Sequence, residues 1–129
     1  MKKSFTATAL LVGMLATVAA QAPTPFKRTV LQQADLSAPG REAVMALAEI
    51  QPGAASGRHT HPGEEIAYVS AGPIVLEIDG KPARTLQTGE AFIIPAGTVH
   101  NARNAGTALA KVVATYVIEK GKPVATPVQ

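Results

Sequence analysis

The stretch GAASGRHTHPGEEIAYVSAG, residues 53–72, contains two of the three histidines in the 129-residue chain. His59 and His61 are two residues apart. Side chains on a β-strand alternate between its two faces, so this spacing would point both imidazoles the same way. Glu65 follows the turn signal Pro62-Gly63, which could swing the next strand back toward the pair. The stretch therefore predicts a cluster of two imidazoles and one carboxylate.

The third histidine lies in a second stretch, GEAFIIPAGTVHNARN, residues 89–104. His100 follows the turn signal Pro95-Ala96-Gly97, so we expect it at the start of a strand. Three neutral imidazoles and a carboxylate form a mixed nitrogen and oxygen donor set that suits Fe(II), Mn(II), Ni(II), Cu(II) or Zn(II). The candidate ligands of one divalent transition metal are His59, His61, Glu65 and His100. An octahedral metal held by four protein ligands would keep two positions open.

Both stretches resemble the conserved motifs of the cupin superfamily. The first has Gly53, five residues, His59-x-His61, three residues, Glu65, six residues and Gly72; the second has Gly89, five residues, Pro95-x-Gly97, two residues, His100, three residues and Asn104. Sixteen residues separate them, which resembles the compact spacing of small single-domain bacterial cupins. The resemblance implies an all-β fold, a single antiparallel β-barrel or jelly roll with the metal inside. It assigns the ligand roles to the two histidines of the first motif, its glutamate and His100.

The N-terminus has the pattern of a secretory signal peptide. Lys2 and Lys3 precede an apolar run, residues 9–20, that ends in small residues. The run is short for a membrane-spanning helix, although an uncleaved anchor is the alternative. We predict a cleavable signal helix over residues 1–20, cleavage after Ala20, and a periplasmic or secreted protein with no stable membrane span after processing.

Composition limits the partners of the mature chain. Of the 12 basic residues, two lie in the predicted signal peptide. The mature chain then has ten basic and nine acidic residues, a formal net charge of +1. No basic run remains, so we expect no nucleic-acid partner. The absence of cysteine excludes disulfides and thiolate ligands. Small cupins resemble one another in pairing edge strands or exchanging terminal ones, so a homodimer is a further possibility.

The sequence divides the mature chain into three parts. Residues 21–40 form a leader with a first edge strand at residues 29–33, residues 41–118 form the barrel, and residues 119–129 form a frayed tail. The segment from Arg41 to Ile50 has good helix formers, but the cupin resemblance makes it a strand. Asp79-Gly80 predicts a tight hairpin.

Strand alternation also predicts which side chains face the interior. Tyr116 is expected inside and Tyr68 outside, and Met45, Leu47, Phe92 and Ile94 are expected to fill the core or line the pocket. Arg58 and Arg103 are out of phase with the ligands. Asn104 is expected to serve the local backbone. The interior is therefore predicted to be short of titratable groups other than the ligands.

The open metal positions favour an enzyme that acts on a small molecule. Resemblance to small cupins suggests dioxygenase-type chemistry first, with the metal relaying electrons between substrate and O₂. With Zn(II) or Ni(II), isomerase or lyase chemistry is the alternative. A non-catalytic periplasmic cupin that binds a small ligand or the metal itself is a second alternative, and a structural or stress-related protein whose metal only holds the fold together is a third.

Overall fold

The computed structural model describes residues 24–129, which contain ten β-strands and no helix. The strands are β1 (Phe26–Asp35), β2 (Arg41–Ile50), β3 (His59–Thr60), β4 (Gly63–Ala71), β5 (Ile74–Ile78), β6 (Arg84–Leu86), β7 (Ala91–Ile94), β8 (His100–Arg103), β9 (Ala110–Glu119) and β10 (Thr126–Pro127). Among these residues no helix is long and apolar enough to cross a membrane. The predicted signal peptide, residues 1–20, lies outside the described residues.

The strands form two five-stranded antiparallel sheets. One has the order β1-β2-β9-β4-β7 and the other β10-β3-β8-β5-β6. Apolar side chains from both sheets, among them Val69, Leu76, Leu86 and Ile118, are almost fully buried between them. The predicted all-β fold, an antiparallel β-barrel or jelly roll, is confirmed.

Strand β2 settles the one ambiguous segment of the sequence. It pairs with β1 on one side and with β9 on the other, and these two ladders override the helix propensity of its residues. Val44, Ala46 and Ala48 alternate into the core. Met45 points outward and is 40% exposed, so its predicted place in the interior is wrong. The strand prediction itself is confirmed.

Both ends of the described chain are more ordered than the sequence predicts. Strand β1 lies at a sheet edge, as expected, but starts at Phe26 instead of Thr29. At the other end, β10 pairs with β3, and the Val128 N–H donates to the Arg58 carbonyl at 2.9 Å. The prediction of a frayed tail is wrong, because this segment completes a sheet.

Candidate metal centre

The four candidate ligands come from three strands and one turn. His59 opens β3 and lies opposite His100, the first residue of the neighbouring strand β8. His61 follows β3 directly, on the same side as His59, and Glu65 faces them from β4 in the other sheet. All four side chains are buried. The candidate centre therefore lies between the sheets, inside the barrel.

Two glycines allow this placement. A Cβ on Gly63 would lie 1.8 Å from the carbonyl oxygen of Val117, so only glycine lets the start of β4 approach β9 and carry Glu65 inward. Gly97 has a φ of 69°, which favours glycine, and its N–H donates to the carbonyl of His61 at 3.0 Å. This turn delivers His100 to β8.

The three imidazoles form a compact group. Their ring centroids are separated by 4.8 Å for His59 and His61, 4.3 Å for His59 and His100, and 5.0 Å for His61 and His100. One ring nitrogen from each lies within 4.8 Å of the others, a spacing at which the group could hold a metal ion. The structure thus brings together the histidines that the sequence pattern selects.

Glu65 contacts two members of this group, His61 and His100, through one carboxylate oxygen. Its Oε2 lies 3.0 Å from Nε2 of His61 and 3.0 Å from Nε2 of His100. Donors at right angles around a metal with bonds of about 2.1 Å are separated by about 3.0 Å. The observed spacing is therefore compatible with neighbouring ligands of one metal. The ligand role of the four residues stays a prediction.

Backbone carbonyls orient all three imidazoles. Nδ1–H of His59 donates to Gly57 at 2.7 Å, that of His61 to Val124 at 2.5 Å, and that of His100 to Thr98 at 2.9 Å. A proton on Nδ1 leaves the lone pair of a neutral imidazole on Nε2. Hydrogen bonds of this type fix the ring orientation and tautomer of metal-binding histidines.

These bonds create an electrostatic conflict that a cation would relieve. If His61 and His100 are neutral, the lone pair on each Nε2 faces the Glu65 carboxylate at hydrogen-bond distance, with no proton between them. A second proton on each imidazole, or one metal ion, resolves the repulsion. Nitrogen and carboxylate donors suit a divalent transition metal, so the residues present fit such an ion.

Burial and the neighbouring imidazoles shift the ionisation of the cluster. Burial lowers the pKa of His59 from 6.5 to about 4, and the nearby His100 and His61 lower it further against the hydrogen bond to Gly57. For Glu65, burial raises the pKa, but the neighbouring His100 and His61 outweigh this effect and bring the pKa to about 2. Near neutral pH the site therefore offers a neutral imidazole and a carboxylate.

A cavity opens beside the cluster. The cavity is narrow, and the empty space of about 350 Å³ counted for it includes the open mouth. His59, Glu65 and His100 form part of its wall, and the remaining wall is mainly apolar, with side chains such as Phe26, Ile50, Leu76, Phe92 and Val112. The arrangement could hold a small ligand in contact with the candidate metal position.

The prediction that Tyr116 points into the interior is confirmed. It is 1% exposed, and its ring centroid lies 4.5 Å from that of His61. Burial, together with the negative charge of Glu65, raises its pKa to about 12, so the hydroxyl stays protonated. Tyr68 is 49% exposed, as predicted.

The structure adds one cation that the sequence analysis missed. Arg28 lines the cavity, and its Nε donates to Oη of Tyr116 at 3.2 Å. The prediction of an interior short of titratable groups besides the ligands is wrong in this respect. The signal that could have found Arg28 is strand alternation, which puts Phe26 and Arg28 on the same face of β1. Their partners on β2 are Ile50 and Ala48, and both point inward.

The other polar residues follow the expected roles. Asn104 donates from Nδ2 to the carbonyls of Ile50 and Ala108, both at 2.8 Å, and so serves the backbone. Arg58 and Arg103 form ion pairs with acidic side chains that are about half exposed. None of these residues belongs to the ligand cluster.

Comparison with known proteins relates the chain to sequences and solved structures. It is 33% identical over 79 residues to the HTH-type transcriptional regulator PuuR of Escherichia coli, a match that covers 60% of this chain and 42% of that protein. The chain thus spans about two fifths of this curated relative.

Two solved structures share the fold. A cupin-like protein from Thermotoga maritima has a TM-score of 0.67 and 23% identity, covering 80% of this chain and 75% of that one. An oxalate oxidase in complex with the substrate analogue glycolate has a TM-score of 0.65 and 25% identity, covering 83% and 57%. The Cupin domain family matches residues 46–116, more than half of the 129 residues. The chain therefore belongs to the cupin family.

Proposed function

We propose that this chain is an exported cupin that binds one divalent transition metal and acts on a small molecule, with dioxygenase-type oxidation favoured. The proposed ligands are His59, His61, Glu65 and His100. The observation that carries the proposal is the position of the Glu65 oxygen, 3.0 Å from two imidazole nitrogens whose rings already donate their Nδ1 protons elsewhere. A cation between these atoms satisfies all of them at once.

The cavity supports action on a small molecule. Glu65, His59 and His100 line it directly, so a ligand inside would reach the metal position. Four protein ligands leave two positions open on an octahedral metal. A redox-active metal bound there would supply electron exchange between a chelating substrate and dioxygen. The solved structures that share the fold include both an oxalate oxidase, at 25% identity, and a DMSP lyase, at 21%, so the preference for oxidative chemistry rests on the two open metal positions.

The residues around the metal position have separate tasks in this proposal. The apolar wall, including Phe92 and Leu76, keeps bulk water from the reacting atoms. The carbonyls of Gly57, Thr98 and Val124 hold the imidazoles in place. Tyr116 keeps its hydroxyl proton at neutral pH and can donate it in a hydrogen bond. No step of this proposal requires a separate carboxylate base.

Capture of a small ligand without turnover is the second candidate function. Besides the four proposed ligands, Arg28 and Tyr116 are the only titratable side chains on the wall of the cavity within residues 24–129. Neither is suited to accept a proton at neutral pH. This scarcity of acids and bases limits the reactions that the site could support without a redox-active metal.

Metal analysis followed by oxygen uptake separates the two functions. The protein is purified from the periplasm, its metal is identified, and O₂ consumption is followed with catechol, acetylacetone and glycolate. We expect iron or manganese and metal-dependent O₂ uptake with at least one compound. Metal-stripped protein with and without added metal is the control. Zinc without turnover would favour ligand capture.

Export rests on residues 1–20 and has its own test. N-terminal sequencing of the protein recovered from the periplasm is expected to begin at Gln21. Protein that retains Met1 in the cytoplasmic fraction would contradict the proposed export while leaving the metal site untouched.

A further inference from the structure

We propose that Arg28 is the anion-binding residue of the cavity and that the site takes a small organic anion. The carboxylate of this anion would face Arg28, and an adjacent oxygen of the anion would face the histidine cluster. This inference rests on the proposed function, for which it names the substrate class.

The backbone places Arg28 inside the barrel mouth. On β1, Arg28 pairs with Ala48 and Phe26 pairs with Ile50, and both partners point into the core. Arg28 therefore shares the cavity wall with His59, Glu65 and His100. A ligand in this space would meet the guanidinium and the candidate metal position from two sides.

Two aromatic rings and one hydroxyl hold the guanidinium. Its central carbon lies 5.2 Å from the ring centroid of Phe26 and 5.6 Å from that of Tyr116. Its Nε–H donates to the Tyr116 hydroxyl. This bond uses the Nε side and leaves the two terminal nitrogens as donors. A fixed pair of parallel N–H groups is the usual partner of a carboxylate.

The charge of Arg28 has no carboxylate partner in the part of the chain that the structure describes. Within residues 24–129, Arg58 and Arg103 form ion pairs with Asp79 and Glu77, whereas Arg28 forms none. Within residues 24–129, Glu65 is the only carboxylate that lines the cavity, and its Oε2 already lies 3.0 Å from Nε2 of both His61 and His100. An arginine held in a mainly apolar wall favours binding of an anion.

Arg28 also lines a neighbouring outer pocket. Arg28, Ser56 and His59 line both this pocket and the inner cavity. Arg58 lies at the outer rim with its guanidinium paired to Asp79, and within residues 24–129 the wall of the outer pocket includes no carboxylate. An approaching ligand would therefore pass positive and neutral groups before it reaches the histidines, which is a favourable path for an anion.

Glycolate and glycolamide form a matched pair of probes. They share size and hydroxyl group, but only glycolate carries a charge. Isothermal titration calorimetry would measure both with metal-loaded and metal-free protein at neutral pH. We expect the unchanged protein to bind glycolate more tightly than glycolamide. Equal binding of the two probes, including no binding of either, would overturn the inference.

Arg28→Gln tests the residue itself. It is expected to weaken glycolate binding by about 10- to 100-fold, the usual range for loss of a charged hydrogen bond, and to leave glycolamide binding unchanged. Arg28→Lys is expected to restore part of the affinity. Lys27→Gln is the control, since it removes the same charge from the neighbouring exposed residue, and we expect a change of less than about 3-fold.

Metal stoichiometry and unfolding midpoints on the same samples separate the possible failures. Arg28→Gln protein that keeps its metal and its midpoint but binds glycolate as before would overturn the anion site alone. An equal loss of glycolate and glycolamide binding in Arg28→Gln would indicate a merely structural role for Arg28 and would also overturn the anion site. If the unchanged protein binds no metal, the proposed function fails, while glycolate binding to the metal-free variants still decides the role of Arg28.

Discussion

The stretch from Gly53 to Asn104 and the two ends of the described chain contribute differently to one site. The stretch supplies all four candidate ligands at fixed spacing. The ends supply the groups around them: Arg28 bonds to Tyr116 across 88 positions of sequence, and the Val124 carbonyl bonds to His61 across 63. The candidate ligands, and the carbonyls of Gly57 and Thr98 that orient two of them, thus lie in the stretch itself. The carbonyl that orients His61 and the guanidinium that extends the cavity come from the ends of the described chain.

This difference separates two kinds of group in the site, the ligand side chains and the groups that orient them. A ligand must bring a particular atom to a particular point, so its residue type and spacing are visible in the sequence. An orienting group can be any backbone carbonyl, because the carbonyl is present at every residue. Substitutions within the stretch and truncations at the ends should therefore have effects on the site that differ in size and in kind.

Replacement of the candidate carboxylate should have the largest effect. Glu65→Gln removes the charge that faces two imidazoles, so we expect metal affinity to fall by more than about 100-fold, beyond the range for residues that only orient a ligand. Glu64→Gln removes a charge from the next residue, which is exposed, and should leave affinity unchanged. Competition with a chelator measures both. Equal affinity in the two variants would contradict the site.

Removal of the C-terminal segment should have a smaller effect on the same quantity. Deletion of residues 123–129 removes the carbonyl of Val124 that accepts the His61 proton and the strand that pairs with β3. Loss of such an orienting group costs about 10- to 100-fold in metal affinity. Deletion of Gln129 alone is the control. A truncated protein that binds metal as tightly as the full chain would show that the end has no part in the site.

Asn104 shows that the stretch from Gly53 to Asn104 contains structural residues besides the candidate ligands. Asn104→Ala leaves the carbonyls of Ile50 and Ala108 without their side-chain donor, and it should lower the free energy of unfolding by about 2 kcal/mol. Metal stoichiometry should remain at the level of the unchanged protein. Asn101→Ala, at a half-buried position, should cost less. Urea unfolding of the metal-free proteins would show whether Asn104 has the larger effect.

Acid should destabilise the metal-free protein through the histidine cluster. The pKa of His59 is about 4 in the folded state against an ordinary 6.5, so the unfolded chain binds a proton first. Stability is therefore retained above pH 6.5 and falls as the pH drops toward 4. Glu65, with a pKa of about 2 against 4.5, extends the loss below pH 4.5.

His59→Gln provides the comparison for this pH dependence. Unfolding free energies at pH 7, 5.5 and 4.5 should decrease less steeply in the variant than in the unchanged protein. Parallel curves would show that His59 does not contribute.

The sequence was sufficient to bring the three histidines together and to place most strands, and insufficient where long-range contacts decide. The alternation of His59 and His61 and the turn before His100 both appear as predicted. Arg28 could not be placed because the first strand was predicted to begin after it, and only its pairing with Ala48 shows which way it faces. Met45 looked apolar enough for the core, but its alternation with Val44 puts it outside.

Metal stoichiometry is the most direct test of the proposed centre. Elemental analysis of the unchanged protein and of His61→Ala, after dialysis against metal-free buffer, should give about one transition metal per chain and none, respectively. The two proteins should have the same β-sheet circular dichroism spectrum. Full metal occupancy in folded His61→Ala would contradict the assignment of the four side chains to one ion.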